Sequence, residues 1–197
     1  MNRPRALLSR LRKDRRGVYA VEFALLLPVI FLTIFGLLEV GYQAYIGAVL
    51  QGAVNEAGRN STLETGPLRT GAIDDRVKAQ VGNISPSATF ESRRKSYTTF
   101  SDVGSPEPFE DLNANGIRDP NECFQDINGN GGFDQDRGKQ GQGGADDIVS
   151  YTMTVTYPRL MPINLFAWTA TNSVSATTVL RNQPYNSQSI PAVVCKK

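Results

Sequence analysis

From residue 18 to residue 38 the chain is apolar almost without interruption, with Glu22 and Thr33 as its only strongly polar side chains. A helix of roughly 20 such residues crosses the hydrocarbon core of a bilayer. Beyond this run the pattern changes instead of stopping. Tyr42, Tyr45, Ile46, Val49, Leu50, Ala53, Val54 and Ala57 recur at three- and four-residue steps, with Gln43, Gln51, Asn55, Glu56 and Arg59 largely between them. That is the period of a helix with one apolar face. One helix is therefore predicted from about Val18 to about Asn60, kinked at Pro28. The apolar face of its outer half must bury against something, this chain's own sheet or a helix of a neighbouring subunit, and both can hold on different faces.

Gly66-Pro67 breaks the chain, and Thr70 suits an N-cap for a short helix built on Ile73, Val77 and Val81, with Asp74 and Asp75 in its first turn. Ser85-Pro86 ends it. Ala88–Tyr97 reads as a strand with Arg93, Arg94 and Lys95 on the outside, a solvated edge that discourages unwanted pairing. Ile148, Tyr151, Met153, Val155 and Tyr157 mark a strand within residues 146–160, closed by Pro158 and Pro162, and Ser173–Leu180 is another. Leu160–Trp168 reads as an apolar loop with Trp168 as a core or interface plug. The tail from Asn182 on, rich in Pro, Ser and Asn, reads as poorly packed. The expected fold is α+β: a long N-terminal transmembrane helix continuing into a helix packed on a small, mostly antiparallel sheet.

Between these strands lies a repeat of 15 residues. Phe109-Glu110-Asp111-Leu112-Asn113-Ala114-Asn115-Gly116 aligns with Phe124-Gln125-Asp126-Ile127-Asn128-Gly129-Asn130-Gly131. Each copy carries D-x-N-x-N-G, which puts oxygens at loop positions 1, 3 and 5 and a glycine at the tight turn. The candidate ligands are Asp111, Asn113, Asn115, Asp119 and Glu122 in the first loop, and Asp126, Asn128, Asn130 and Asp134 in the second. Glu122 stands at position 12, where a bidentate carboxylate closes a calcium loop. The second loop has Arg137 there, so it must close otherwise, through Asp136 or Asp146. Only Cys123, Phe124 and Gln125 separate the loops, which leaves no room for flanking EF-hand helices. Stacked calcium loops of a secreted type are expected, and a polar, turn-rich loop without metal is the alternative. The Gly- and Gln-rich run Gly138–Gly144 reads as a flexible connector.

Composition narrows the chemistry. The chain has 197 residues and no histidine, which removes His-dependent triads, general bases and metal ligands. Cys123 and Cys195 make neither a zinc site nor a C-x-x-C pair. Outside the cytoplasm they are expected to form a disulfide, within the chain or with another chain. Asp111, Asp119 and Asp126 are accounted for by metal spacing, so a hydrolase with paired carboxylates is not favoured. No enzyme and no nucleic-acid partner are expected.

Charge is concentrated at one end. Residues 1–17 hold seven basic side chains against Asp14, a net +6 that leaves −4 for the remainder of a chain totalling +2. This asymmetry puts the N-terminus in the cytoplasm and residues after Tyr42 outside. Residues 1–17 are then a basic leader, 18–41 a transmembrane helix, and 42–197 an extracytoplasmic domain that contains the acidic loop at 109–137. Three kinds of segment fit the apolar run. A cleaved secretory signal needs small residues three and one before the cut, and Ala44, Gly47 and Ala48 are preceded by Tyr42, Tyr45 and Ile46. A plain anchor is the second. The third is a prepilin-type signal: Gly17 closes the leader, Val18 begins the mature chain, and Glu22 and Phe23 are its fifth and sixth residues. A carboxylate within a membrane costs about 2.5–3.5 kcal/mol near the centre and less toward the edge. In a helical fibre the new α-amino group of a neighbouring subunit can neutralise it.

The stretch Arg15-Arg16-Gly17-Val18-Tyr19-Ala20-Val21-Glu22-Phe23-Ala24-Leu25-Leu26-Leu27-Pro28, followed by Gly36-Leu37-Leu38-Glu39-Val40-Gly41, resembles the TadE-like proteins of bacterial tight-adherence (Tad/Flp) pilus systems. The resemblance covers roughly residues 14–60. Val179-Leu180-Arg181-Asn182-Gln183-Pro184 also resembles an ending common in these proteins, with Gln183 in place of the usual acid. The resemblance implies a minor pilin or pseudopilin of the inner membrane, processed by a prepilin peptidase and acting with other pilins and Tad assembly proteins in pilus assembly and surface adhesion. The alternative is a single-pass anchor that displays a calcium-dependent adhesive module without joining a fibre.

Overall fold

The computed structural model describes residues 16–61, 70–160, 170–184 and 192–195. The leader before Arg16, the Gly66-Pro67 break, most of the Leu160–Trp168 loop including Trp168, and most of the tail lie outside the described residues. The chain divides into two compact units, up to Tyr42 and from Gln43 onward.

Helix α1 (Arg16–Ser61) runs without interruption and carries Pro28 inside it. In the first unit its large apolar side chains from Val18 to Val40 are exposed, Leu27 apart. From Ile46 the helix becomes amphipathic: Ile46, Leu50, Ala53, Val54 and Ala57 are buried, while Gln51, Asn55 and Glu56 stay outside. The partner is the chain's own sheet. Gly47 lies against Val174, and Gly58 lies so close to Leu180 and Thr178 that a side chain there would collide with both. The internal sheet is thus one of the partners left open by the periodicity.

Helix α2 (Thr70–Gly82) buries Ile73, Val77 and Val81 at its expected spacing and sits beside α1, where Gln80 donates to Glu56. Both helices cover one face of a four-stranded antiparallel sheet. Its strands are β1 (Thr89–Tyr97), β3 (Lys139–Gln140), β4 (Ile148–Pro158) and β5 (Thr171–Arg181), in the order β3-β1-β4-β5. The inner face of β4 supplies Val149, Tyr151, Met153, Val155 and Tyr157, all buried. Its outer residues Thr152 and Thr154 pair hydroxyl to hydroxyl with Thr177 and Ser175 of β5, each at 2.8 Å. A second sheet pairs β2 (Phe124–Asp126) with β6 (Ala192–Val194). The α+β class and the antiparallel sheet are those the sequence predicts.

Two expectations are corrected. Strand β1 is not an edge along its whole length: it pairs with β4 throughout, and β3 covers its other side at Lys95 and Ser96. Only Arg93 of the basic triplet is solvated: Arg94 turns inward to Asp74, and Lys95 pairs with Asp136 at 2.5 Å. The Gly138–Gly144 run is not a free connector. It holds β3, and Gln142 is buried, donating to the carbonyl of Ser61 at the end of α1 and to Asn182. Asn182 answers with bonds to the carbonyls of Gln142 and Gly144 at 2.8 and 2.7 Å.

Candidate functional site

Residues 98–138 leave β1 and return to β3, and the tandem loops lie within this excursion. Tyr97 seats it on the sheet. Its ring occupies the place a side chain at position 138 would need, which accounts for Gly138, and its hydroxyl donates to Asp136 at 3.3 Å. Burial, with the bond to and charge of Asp136, pushes the Tyr97 hydroxyl up to about 12. Burial opposes the Asp136 charge, but hydrogen bonds from Lys95, the Gly138 amide and Tyr97 outweigh it and hold the carboxyl below its ordinary range.

The first loop is wound by its own side chains. Asp111 accepts from the amides of Asn115 and Gly116 at 3.1 and 2.8 Å. Asn113 accepts from Asn115, and Asn115 from Ile117. These are turns in which a short polar side chain substitutes for backbone. The amide groups of Asn113 and Asn115 both donate to Asp119, at 2.7 and 3.1 Å. Gly116 takes φ +74°, and Ala114 takes φ +57° without being a glycine.

The second loop repeats each of these bonds and adds one, from the Gly129 amide. Asp126 accepts from Gly129, Asn130 and Gly131. Asn128 accepts from Asn130, and Asn130 from Gly132. Both asparagine amides donate to Asp134 at 2.6 Å. Gly129 and Gly131 take φ +79° and +76°. All nine sequence-predicted ligand positions therefore belong to two equivalent loops, with oxygen donors throughout. As they stand the loops are closed by these hydrogen bonds. Among the described residues no three acidic side chains converge as a ready metal cluster.

The carboxylates that accept from the loop amides are Glu122 in the first loop and, in the second, neither Asp136 nor Asp146. In the first, Glu122 accepts from the amides of Leu112 and Asp119 at 2.9 and 2.8 Å. In the second, Asp136 is taken by Lys95 and Asp146 by Arg181, while Arg137 pairs with Asp102 at 2.8 Å. The carboxylate that accepts from the second loop's amides is Glu107, from Ile127 and Asp134 at 2.8 and 3.1 Å. Its signal was in the sequence: Glu107 stands 15 positions before Glu122, the period of the repeat, just upstream of the aligned segment.

Three phenylalanines form the centre of the tandem. Phe133 meets Phe109 and Phe124 edge to face, each at 5.8 Å between centroids, and the Arg118 guanidinium lies 4.8 Å over Phe124. Strand β2 runs between the loops, and a disulfide joins Cys123, beside it, to Cys195 after β6. A second cluster that sequence reasoning missed ties α2 to the sheet. Asp74 accepts from Arg94 and, at 2.7 Å, from Tyr151, and Arg94 stacks 4.2 Å over the Tyr151 ring. Burial works against the Asp74 charge, yet bonds from Arg94, Tyr151 and Ser92 and the charge of Arg94 hold its carboxyl below the ordinary 3.8. A run of Arg-Arg-Lys hides which cation turns inward, and Asp74 looks like an ordinary first-turn acid.

At the other end of the chain, Gly17, Val18, Glu22 and Phe23 all lie on α1, with Val18 and Phe23 exposed. Among the described residues α1 is the one helix long and apolar enough to cross a membrane, and it is compatible with a single-pass anchor. Residues 17–59 match the family model described as TadE-like protein, so the resemblance read from the sequence holds over this segment of α1. No curated protein and no solved structure matches the chain.

Proposed function

We propose that the chain is a minor pilin or pseudopilin of a tight-adherence pilus system, anchored in the inner membrane by the first half of α1. Its N-terminus lies in the cytoplasm and the unit from Gln43 onward lies outside. A prepilin peptidase cuts it between Gly17 and Val18, and other pilins and Tad assembly proteins are its partners. One coincidence carries this reading. The TadE-like match spans residues 17–59, and the same helix is exposed and apolar up to Val40 and then amphipathic. Glu22 and Phe23 become the fifth and sixth residues of the cut chain. Intact-mass measurement of membrane-extracted protein, co-expressed with the cognate peptidase, is expected to give a chain without residues 1–17. A full-length mass overturns the pilin reading and leaves a plain anchor.

The tandem loops are read as calcium sites that brace the outer unit. Asp111, Asn113, Asn115, Asp119 and Glu122 would hold one ion, and Asp126, Asn128, Asn130 and Asp134 contribute to a second. The donors are all oxygen, which suits a hard cation. Bound calcium supplies positive charge among carboxylates that otherwise repel. Outside the cell a site of roughly 10⁻⁴–10⁻³ M is useful.

The exposure of Leu112 and Ile117, 64% and 69%, favours a second reading: an anchored, calcium-dependent adhesive module that never enters a fibre. Recovery of the protein in sheared pili supports the first reading. Its retention in the membrane, with adhesion lost on chelation, supports the second.

A further inference from the structure

Calcium loops of this spacing are ordinarily closed by their own position 12, and the second loop has Arg137 there. The structure supplies the carboxylate from the other direction. Each bond that the Glu122 carboxylate and amide make to the first loop is made by Glu107 to the second, with each partner shifted by 15 residues. The Glu122 amide donates to Asp119 O and the Glu107 amide to Asp134 O, both at 3.0 Å. The backbone between the loops is equally reciprocal: Glu110 donates to Cys123 O at 2.9 Å and Gln125 to Pro108 O at 2.8 Å, about a bridge between Phe109 and Phe124. The two copies thus exchange places across a local pseudo-twofold. A residue preceding the first loop then occupies, for the second, the station that Glu122 occupies for the first.

Glu107 and Glu122 are each 1% exposed, and among the described residues neither carboxylate is in an ion pair. Each oxygen accepts one amide N–H, which leaves further acceptor capacity on a buried carboxylate. Buried carboxylates are normally balanced by a cation or a metal.

We propose that Glu107 is the closing ligand of the second loop, so that the tandem takes two divalent cations of the calcium type instead of one. This rests on the calcium reading above and adds to it the occupancy of the second loop and the residue responsible.

The test is calcium stoichiometry by titration calorimetry on the full chain in detergent, for the parent, Glu107→Gln, Glu122→Gln and the double variant. Amide hydrogen exchange of β4 serves as the control for folding. Two ions are expected for the parent, one for each single variant and none for the double. A parent that binds no calcium sinks the calcium reading itself. A parent that binds one ion, lost in Glu122→Gln and kept in Glu107→Gln, leaves the calcium reading standing and overturns the role of Glu107. Two ions retained in Glu107→Gln, or both lost while β4 stays protected, also overturn it. Should Glu107→Gln fail to fold, Glu107→Asp keeps the charge and shortens the reach. It is expected to weaken one of the two sites and spare the other, and weakening of both or of neither refutes the assignment.

Discussion

Within the unit from Gln43 onward, the half built from α1, α2 and the four-stranded sheet and the half built from residues 98–138 are held by different forces. The first buries Ile46, Leu50, Val54, Val77, Tyr151, Met153 and Val155 almost completely. Such a core follows from apolar area removed from water and needs nothing from the medium. The second has three phenylalanines at its centre, and otherwise a lattice of Asp, Asn and Glu bonds to backbone amides, with one disulfide at its margin. Polar bonds of this kind have a small net value, because water competes for them in the unfolded chain. One half is therefore expected to keep its stability with or without calcium and reductant. The other is expected to depend on calcium and redox state. Segment-resolved hydrogen exchange on the full chain in detergent separates them by comparing β4 with residues 107–136.

The largest effect is expected from Asp74→Asn in the first half. It leaves Arg94, whose side chain is 9% exposed, without its counter-charge, and Tyr151 facing an amide. Breaking a buried pair from one side costs about 3–5 kcal/mol. The loss should appear equally with calcium and with chelator. The parent also carries a pH signature. Because the folded Asp74 carboxyl is held below its ordinary 3.8, its contribution is complete above that value and is lost as pH falls through the lower folded value. Asp74→Asn should lack this part of the acid transition. A variant that unfolds in acid along the same curve as the parent would refute the assignment.

Opening the disulfide comes next. Cys123 and Cys195 enclose a long loop, their separation being 72 residues, and closing it is worth about 4 kcal/mol at most in the chain-entropy model. The β2–β6 ladder has only three residue pairs to hold the tail without it. Reduction should raise exchange at residues 124–126 and 192–194 first and leave β4 protected. Loss of β4 protection at the same rate would mean that the two halves unfold as one.

Calcium should follow at about 2.7 kcal/mol for a hundredfold excess over its dissociation constant, expressed in residues 107–136 and not in β4. From the sequence, Asp126→Ala looks milder than Asp111→Ala, since the second loop lacks its own closing acid. With Glu107 in that station the two should reduce the calcium effect by similar amounts. A melting profile identical with calcium and with chelator removes the calcium reading.

The same contrast decides what could be read in advance. The helix periods, strands β4 and β5 and the buried face of α1 were legible because hydrophobic burial leaves a period in the sequence. The 15-residue repeat was legible because its D-x-N-x-N-G turns fix residue types at fixed spacing. Glu107 was legible only as the residue one repeat period before Glu122. The inward turn of Arg94 and the pinning of Gln142 were not legible at all. Each is a polar group finding a partner far along the chain, Arg94 at Asp74 and Gln142 at Ser61. Pairing of that kind has no period, and only the folded backbone brings the partners together.

The smallest predicted effect compares the two loops residue by residue. Ala114 and Gly129 are equivalent positions, and both sit in the left-handed region, at φ +57° and +79°. Glycine adopts this region freely, whereas a side chain there costs about 1–2 kcal/mol. Replacing Ala114 by glycine removes that strain but adds backbone freedom to the unfolded chain, which costs about 0.5–1 kcal/mol. The net gain should be about 0.5 kcal/mol. It should appear as slower exchange in residues 111–119 alone, with the second loop and β4 unchanged. The gain requires that the first loop hold the same turn as the second. If Ala114→Gly instead loosens residues 111–119, Ala114 is not left-handed in solution and the two loops are not equivalent. If it changes nothing, the first loop is open too much of the time for its backbone strain to register.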